Sequence, residues 1–461
     1  MDVLEKATKT ILAVTNHILI HIEISLHDFK KLYPIGKGGF GRVWKIQFRT
    51  NNSLAPHISK HIYALKEMSK IKIYTKKSIT LVQNERKFLQ KLHFPLLANM
   101  QYAFETDEHL YIVMDYFSGG DLRFHLCDGA HYNEHETKFI LANILLSLQY
   151  IHSQRIFHRD VKPENLVFDS KGYLHLTDFG IAHELEIDEG VIDSSGTPGY
   201  MAPEALMKKP QNFSVDFFAL GVLAFELMMG KRPYVGRTKK EIKEKMITKE
   251  IHLKQKDLPK GWNDVNVIDF INRLLKRKPK ERLGRGGIKE VMDHPWLSGI
   301  DWDGMKQMKV KSPIFIASGD NFDESYANKQ DDELYDSESR EYYLNIINEN
   351  KYFKYFYYNI DEQQQQHKRN KKHSDTTLRK FTSKNQLMRS LTQFSSTKMN
   401  NNKKDETNEL GQSKVVEVKR GCKQNEVVIN NENEIKHNSV ITSENEISIV
   451  DSKRDTSKCD L

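Results

Sequence analysis

Cysteine is scarce in this sequence, and long apolar runs are absent from it. The 461 residues include three cysteines, Cys127, Cys422 and Cys459, whose spacing shows no pairing pattern, which favours a reducing compartment. The most apolar N-terminal stretch, residues 11–26, contains Asn, His and Glu and is too polar to span a bilayer. Asp2 stands where myristoylation requires glycine, and Cys459 lies one position too late for prenylation. We therefore expect a soluble, cytoplasmic protein.

Apolar residues are also scarce beyond about residue 360. Gln, Asn, Lys, Ser and Glu dominate residues 361–461, so this segment cannot bury a core and is predicted to be disordered. Its basic part, residues 367–404, supplies much of the net charge of +8. A charge run is usually solvated chain, and without a folded recognition motif we expect no specific nucleic-acid partner. An inert linker, a pseudosubstrate and a weak contact with acidic lipid stay open as roles.

Residues 29–358 have the alternation of apolar runs and turns that is typical of a folded protein. Residues 29–115 predict short strands with one helix, at 81–92, between them. From residue 134 onward the periodicity is mostly helical, and residues 215–229 are apolar nearly all round, which indicates a buried helix. The sequence therefore predicts an α+β fold in which a β-rich part precedes an α-helical part. Residues 1–28 form an N-terminal extension whose conformation, strand or helix, stays open.

A glycine-rich segment opens the β-rich part. Glycines at 36, 38 and 41 fit the pattern G-x-G-x-x-G, whose backbone N–H groups can close over phosphates. Such glycines also make simple turns or begin dinucleotide-binding units, but here β-type sequence follows them instead of a helix. The candidate nucleotide-binding residues of this segment are Ile35, Gly36, Lys37, Gly38, Gly39, Phe40, Gly41, Arg42 and Val43.

Lys66 stands two residues after Ala64 in an apolar run that is predicted to be a strand, and both are candidate nucleotide-binding residues. A lysine there is normally a solvated edge charge, but beside a glycine loop it can reach the α- and β-phosphates if a carboxylate holds it. Glu85, on the predicted helix, is the candidate for that carboxylate. Considered alone, Glu85 would be an ordinary surface residue.

Two further motifs carry acids and amides. Residues 158–165, His-Arg-Asp-Val-Lys-Pro-Glu-Asn, supply Asp160 as a catalytic base, Lys162 for the γ-phosphate and Asn165 as a metal ligand. Asp178 begins an Asp-Phe-Gly motif and is a candidate Mg²⁺ ligand. Ala-Pro-Glu at 202–204 would close an activation segment. These motifs occur in the order that phosphoryl transfer from Mg-ATP requires.

These residues resemble those of eukaryotic protein kinases over 29–297. The resemblance implies a bilobal fold, with the N-lobe at 29–115 and the C-lobe at 116–297, and Mg-ATP as cofactor. It implies that Met114 is the gatekeeper and Asp115 to Phe117 the hinge. It also implies that Asp216 braces the catalytic loop and that Glu204 pairs with Arg282. Lys162 with Gly-Thr-Pro at 196–198 resembles the Ser/Thr kinases.

Residues 298–360 resemble the C-terminal tail of the AGC kinases. Ser-Pro-Ile-Phe at 312–315 and Asn-Phe-Asp at 321–323 look like the part that wraps over the N-lobe. Residues 353–358 resemble the hydrophobic motif, although a simple cluster of packed aromatics is also consistent with them. Residues 119–126 and 178–182 look most similar to the YANK-type branch.

Asp193 stands where the resemblance places a phosphorylated threonine. A carboxylate there could pair with Arg159 and hold the loop partly ordered, which suggests activity without an upstream kinase. The alternative is that Asp193 is solvated and that Ser194 or Ser195 is the switch.

Asp121, Glu164 and Glu226 lie where basophilic AGC kinases contact arginines upstream of the acceptor. We therefore expect a monomer that acts on protein Ser/Thr sites with Arg at −3 and a basic residue at −2. Asp121 is shorter than the usual Glu, and binding of the ATP ribose is its alternative role. Thr382 and Thr392 fit the same pattern as autophosphorylation sites. A pseudokinase is the main alternative function, but Lys66, Asp160 and Asp178 are all present.

Overall fold

The computed structural model describes residues 24–49, 61–185, 190–322 and 335–363. The chain divides into two units, and the unit that includes residues 1–360 carries every element described below. The expectations for residues 1–23 and for the segment beyond 363, with Thr382 and Thr392, lie outside the described residues, as does Asp323. Within the described ranges, no helix combines the length and the apolar character needed to cross a bilayer.

The N-lobe is a mainly antiparallel sheet with strand order β1-β2-β3-β5-β4-β10. The predicted β-rich character of residues 29–115 is confirmed. The central strands contribute buried side chains to the core of the lobe, and Ile46, Leu65, Ile112 and Val113 are fully buried. The strands of this sheet are β1 (Phe29–Lys37), β2 (Gly41–Phe48), β3 (Ile62–Ser69), β4 (Met100–Glu105), β5 (His109–Asp115) and β10 (Tyr358–Asn359).

Two helices lie between β3 and β4, where the sequence predicted one. Helix α2 (Ile79–Lys91) is the predicted helix. The short helix α1 (Lys70–Thr75) was missed, although Ser69 caps it by accepting a hydrogen bond from the N–H of Lys72 at 3.4 Å. Six residues give a weak periodic signal, so the cap was the only clear local indication of α1.

The C-lobe is predominantly helical, as predicted, around α4 (Glu134–Ser153) and α6 (Ser214–Met229). Asn133 and Glu136 form a capping box at the start of α4, and Gly230 ends α6 in the left-handed conformation at φ 68°. The first fifteen residues of α6 are buried, which confirms the buried helix. The other elements are α3 (Leu122–Cys127), β6 (Ile156–Phe157), β7 (Leu166–Phe168), β8 (Leu174–Leu176), β9 (His183–Glu184), α5 (Pro203–Leu206), α7 (Lys239–Thr248), α8 (Asn266–Leu274) and α9 (Ile288–Met292).

The residues that follow the C-lobe return to the N-lobe. They include α10 (Trp302–Lys306) and α11 (Ser337–Glu349) before β10 adds to the edge of the sheet beside β4. Phe353 and Phe356 are buried at 4% and 3% exposure, and the guanidinium of Arg86 on α2 donates to the carbonyl oxygens of Phe356, at 3.0 Å, and Tyr357. The aromatic cluster therefore packs on the lobe and also fixes the position of α2.

Candidate functional site

The glycine-rich segment forms the tight turn between β1 and β2. Gly36 pairs with Val43, and the N–H of Gly38 donates to the carbonyl of Gly41 at 2.8 Å. A Cβ at Gly41 would lie 1.9 Å from the carbonyl oxygen of Glu67 on β3, so only glycine fits there. The predicted loop is thus a strand–turn–strand, which is the context expected for covering a nucleotide and differs from a dinucleotide-binding unit.

The remaining candidates of this segment lie at different depths. Lys37, Gly38 and Gly39 are exposed at the tip of the turn. The guanidinium of Arg42 lies 6.0 Å from the ring centre of Trp44, and the ring of Phe40 lies 5.7 Å from the Nζ of Lys76. The side chains of Arg42 and Phe40 thus contact other N-lobe residues, and the backbone N–H groups at the tip of the turn are the groups that can reach a phosphate.

Lys66 joins the two lobes electrostatically. Its Nζ lies 2.5 Å from Oε1 of Glu85 on α2 and 3.3 Å from Oδ1 of Asp178 in the C-lobe. Glu85 is 3% exposed, so it is a buried partner and the surface-residue alternative is wrong. Three motifs that are separated by up to 112 residues therefore meet at one ammonium group.

Opposite charges in this cluster stabilise the ionised forms of Lys66 and Asp178. Burial alone would lower the pKa of Lys66, but the negative charges of Asp178 and Glu85 raise it above its usual value. Lys66 in turn lowers the pKa of Asp178 to about 2. At neutral pH the ammonium and the Asp178 carboxylate are both charged, as binding of phosphates and a divalent cation requires.

Asp160 lies at the centre of the second cluster. Its Oδ1 accepts a hydrogen bond from the hydroxyl of Thr197 at 2.7 Å, and its Oδ2 lies 2.8 Å from Nζ of Lys162. The Nζ of Lys162 also donates to the Thr197 hydroxyl at 2.6 Å. Asn165 donates through Nδ2 to Asp160 Oδ2 at 3.0 Å, which directs its amide oxygen to other partners. The carboxylate of Asp160 therefore already binds a threonine hydroxyl.

Asp216 holds the backbone of the catalytic loop. It is fully buried, and its carboxylate accepts from the N–H of Arg159 at 2.8 Å and of His158 at 2.9 Å. Arg159 and Asp178 adopt the left-handed conformation, with φ values of 69° and 63°, which costs free energy at non-glycine residues. The expected bracing role of Asp216 is confirmed, because these bonds maintain the strained loop.

Arg159 also reaches the activation segment. Its Nη1 lies 2.9 Å from Oδ2 of Asp193, and its Nε donates to the carbonyl of Ile181 at 2.6 Å. Burial opposes the ionisation of Asp193, but hydrogen bonding from Ser195 and the charge of Arg159 hold its pKa below the usual value. Asp193 is thus a partner of Arg159 in this structure and is not merely a solvated loop acid.

The end of the activation segment is fixed by a buried ion pair. Arg282 donates from Nη1 and Nη2 to the two carboxylate oxygens of Glu204 at 2.6 and 2.9 Å. Both residues are almost completely buried. The expected pairing of Glu204 with Arg282 is confirmed, and its bidentate geometry fixes the direction of the carboxylate.

The predicted hinge residues use their side chains for structure. Ala64 and Met114 are opposite each other in β3 and β5. The carboxylate of Asp115 accepts from Asn99 at 3.0 Å and from Gln101 at 2.7 Å, and the ring of Phe117 stacks on His175 at 3.8 Å. Any nucleotide contact of Asp115 therefore comes from its main chain.

Two of the three predicted groove acids contact an arginine of the chain itself. Arg123 on α3 donates from Nε to Glu164 at 3.1 Å and from Nη1 to Glu226 at 2.9 Å. Its Nη2 contacts the hydroxyl of Tyr200 at 2.5 Å. Asp121 caps α3 by accepting from the N–H of Phe124 at 2.8 Å.

Sequence reasoning assigned no site role to Arg123, Thr197 or Tyr200. Thr197 had a signal, because a Gly-Thr-Pro segment accompanies a lysine two residues after the catalytic aspartate. No sequence signal indicated Arg123 or Tyr200. The contact of Arg123 with Glu226 joins residues that are 103 positions apart in the sequence.

Comparison with known proteins agrees with this geometry. A family model described as the protein kinase domain matches residues 29–297, more than half of the chain. A probable serine/threonine-protein kinase of Dictyostelium discoideum is 33% identical over 312 residues, which cover 67% of this chain and 65% of the relative. Serine/threonine-protein kinase sgk-1 of Caenorhabditis elegans is 34% identical over 66% of this chain and 63% of the relative.

The cAMP-dependent protein kinase catalytic subunit of Dictyostelium discoideum is 33% identical over 63% of this chain. The chain spans 65%, 63% and 42% of the lengths of these three relatives. The matched region includes Lys66, Glu85, Asp160, Asn165 and Asp178, the residues that the fold brings together. The chain therefore belongs to the protein kinase domain family.

Proposed function

We propose that the chain is a protein kinase that transfers the γ-phosphate of Mg-ATP to serine and threonine hydroxyls. The observation that carries this proposal is the contact of Asp160 with the hydroxyl of Thr197 at 2.7 Å. A carboxylate that accepts a hydrogen bond from one threonine hydroxyl has the position and charge to accept one from a substrate hydroxyl. Lys162, 2.8 Å from the same carboxylate, supplies positive charge beside it.

Each residue has a role that its contacts support. Asp160 accepts the proton of the acceptor hydroxyl as its oxygen attacks the γ-phosphorus, and Lys162 offsets negative charge on the phosphoryl group. Burial alone would lower the pKa of Lys162, but the charge of Asp160 raises it, so Lys162 stays cationic. Lys66, held by Glu85, binds the α- and β-phosphates while the backbone around Gly38 covers them.

The oxygen atoms of Asp178 and Asn165 suit a magnesium ion. Mg²⁺ prefers hard oxygen ligands and binds to few protein groups when phosphates supply the others. Asp178 is ionised because Lys66 lowers its pKa to about 2, and the amide nitrogen of Asn165 is already bound to Asp160. When bound, the metal would offset the negative charge of the phosphates during phosphoryl transfer.

We further propose an AGC-type kinase, with its nearest likeness to the YANK-type branch, that favours Arg at −3 and a basic residue at −2. The tail supports the first part, because Phe353 and Phe356 are buried against the N-lobe and Arg86 binds the chain beside them. The acids Asp121, Glu164 and Glu226 support the second part, because their three negative charges exceed the single positive charge of Arg123, which contacts Glu164 and Glu226.

A pseudokinase that binds nucleotide without transferring phosphate is the second candidate. The test is incubation of the full chain with Mg²⁺, γ-labelled ATP and peptides that differ only in a Ser, Thr or Tyr acceptor. We expect label on the Ser and Thr peptides and background label on the Tyr peptide. Nucleotide binding without label on any peptide would support the pseudokinase, and preferential labelling of the Tyr peptide would contradict the proposed acceptor.

A further inference from the structure

Arg123 occupies a position in the site that substrate recognition would otherwise use. Glu164 stands four residues after Asp160 in the same loop, and Glu226 lies near the end of the buried helix α6. Arg123 bridges them at 3.1 and 2.9 Å. Arg123 and Glu226 are 8% and 5% exposed, so this is an ion pair protected from solvent.

Each of the three side-chain nitrogens of Arg123 has a hydrogen-bond partner. Nε serves Glu164, Nη1 serves Glu226, and Nη2 contacts the Tyr200 hydroxyl, which itself donates to the second oxygen of Glu226. Arg123 therefore resembles a bound substrate guanidinium, because a planar fork that satisfies several acceptors is how arginine is recognised by carboxylates.

Three of the four carboxylate oxygens of Glu164 and Glu226 have donors. These are both oxygens of Glu226 and Oε1 of Glu164. Oε2 of Glu164 is buried and has no hydrogen-bond partner within the described part of the chain. An incoming guanidinium would therefore share the three paired oxygens with Arg123 or Tyr200, which weakens the bidentate geometry of a strong arginine site.

The net charge of Arg123, Glu164 and Glu226 also disfavours a substrate arginine at this site. Glu164 and Glu226 carry two negative charges and Arg123 one positive charge, so the trio has a net formal charge of −1 in place of −2. The positive charge of Arg123 raises the electrostatic cost of bringing a second cation to these acids. Displacement of Arg123 would require its own buried charge to lose its partners, which is costly.

We propose that Arg123 is a specificity-determining residue that fills the Glu164–Glu226 subsite from within the chain and thereby weakens selection for a basic substrate residue there. This inference rests on the proposed kinase function and narrows the preference proposed there, from basic residues at both −3 and −2 to a basic residue at one of the two positions. Asp121 lies outside the Arg123 trio, so selection at the position that it reads is retained. One of the two upstream positions, −3 or −2, is then strongly basophilic and the other is nearly indifferent.

The test compares peptides with Arg or Ala at −3 and at −2, using the wild type, Arg123→Gln and Arg123→Lys. Selectivity is the Arg/Ala ratio of kcat/KM and, separately, of equilibrium affinity measured by fluorescence anisotropy. In the wild type we expect a ratio below about fivefold at one position, and in Arg123→Gln a gain of about tenfold or more there. Arg123→Lys, which keeps the charge, should resemble the wild type.

Ratios above about tenfold at both positions in the wild type would overturn the inference, as would an unchanged ratio in a folded Arg123→Gln protein. If Arg123→Gln does not fold, Glu164→Gln decides the matter. Because Arg123 already binds Glu164, the Arg/Ala ratio of Glu164→Gln at −3 and at −2 should differ from that of the wild type by less than about threefold. A decrease of about tenfold at either position would show that Glu164 binds substrate arginine directly and would overturn the inference. The anisotropy ratios need no phosphoryl transfer, so failure of the kinase proposal is distinguishable from failure of this inference.

Discussion

Asp193 is the residue whose replacement tests regulation most sharply. It contacts Arg159 where the kinase resemblance places a phosphorylated threonine, and we expect it to keep the unphosphorylated activation segment partly ordered. Replacement of Asp193 by Asn preserves size and removes the charge. The carbonyl of Asp193 still accepts from Gln211, and Val191 still pairs with Gln211, so the segment keeps its main-chain anchors in the variant.

The size of the effect follows from the geometry. A hydrogen bond to a charged group contributes about 1.5–3 kcal/mol when it is buried. The Asp193 side chain is 38% exposed, whereas that of Arg159 is 4% exposed. Solvent screening of the exposed partner reduces the expected contribution to about 1–2 kcal/mol. A change of this size corresponds to about a 5- to 30-fold shift in the ratio of ordered to disordered activation segment.

The assay is kcat/KM on a Ser/Thr peptide after phosphatase treatment, with absence of phosphate verified by mass spectrometry. We expect treated wild type to stay active and Asp193→Asn to lose about 5- to 30-fold in kcat/KM. Ser194→Ala and Ser195→Ala are the matched controls and should retain wild-type activity. Complete loss of activity in treated wild type, or in either serine variant, would refute the reasoning and identify a serine as the switch.

Three other substitutions test separate parts of the structure. Lys66→Met should lower kcat by about 100-fold or more in steady-state assays, because it removes the cation that joins Glu85 to Asp178, and activity near wild type would contradict its role. Phe356→Ala should lower the free energy of unfolding by about 3–5 kcal/mol in denaturant titration, since Phe356 is 3% exposed, whereas Tyr355→Ala, at 79% exposure, should change it by under about 0.5 kcal/mol. Arg282→Ala should cost about 3–5 kcal/mol of stability in the same titration, because it leaves the buried carboxylate of Glu204 unpaired, and a loss below about 1 kcal/mol would show that the pair is dispensable.

The residues of the candidate site could be identified from sequence because each lies in a short motif. Asp160 and Asn165 lie in one loop, between β6 and β7, and Asp178 begins a tripeptide that follows the strand β8. The motifs also occur along the chain in the order that is typical of protein kinases. The structure adds the distances, above all that Lys66 lies 2.5 Å from Glu85, which no local pattern could supply.

Other features depend on contacts that local sequence does not encode. Helix α11 was not predicted, and its single buried residue, Ile347, explains why no apolar face was evident. The engagement of Glu164 and Glu226 by Arg123 joins three separate elements, so the acids appeared free for substrate when considered as a sequence pattern. The hydrogen bonds that Asp115 accepts from Asn99 and Gln101 likewise join separate parts of the chain.

Phosphoryl transfer by the wild type and by Asp160→Asn, measured side by side, tests the central claim most directly. Asp160→Asn keeps the shape of the side chain and removes the carboxylate that is proposed to take the proton of the substrate hydroxyl. Lys66, Asn165 and Asp178 remain to bind Mg-ATP. The account predicts phosphate on peptide serine and threonine with the wild type, and a loss of about 100-fold or more in kcat with unchanged nucleotide affinity in the variant. Equal rates for the two proteins, or no transfer by the wild type, would contradict it.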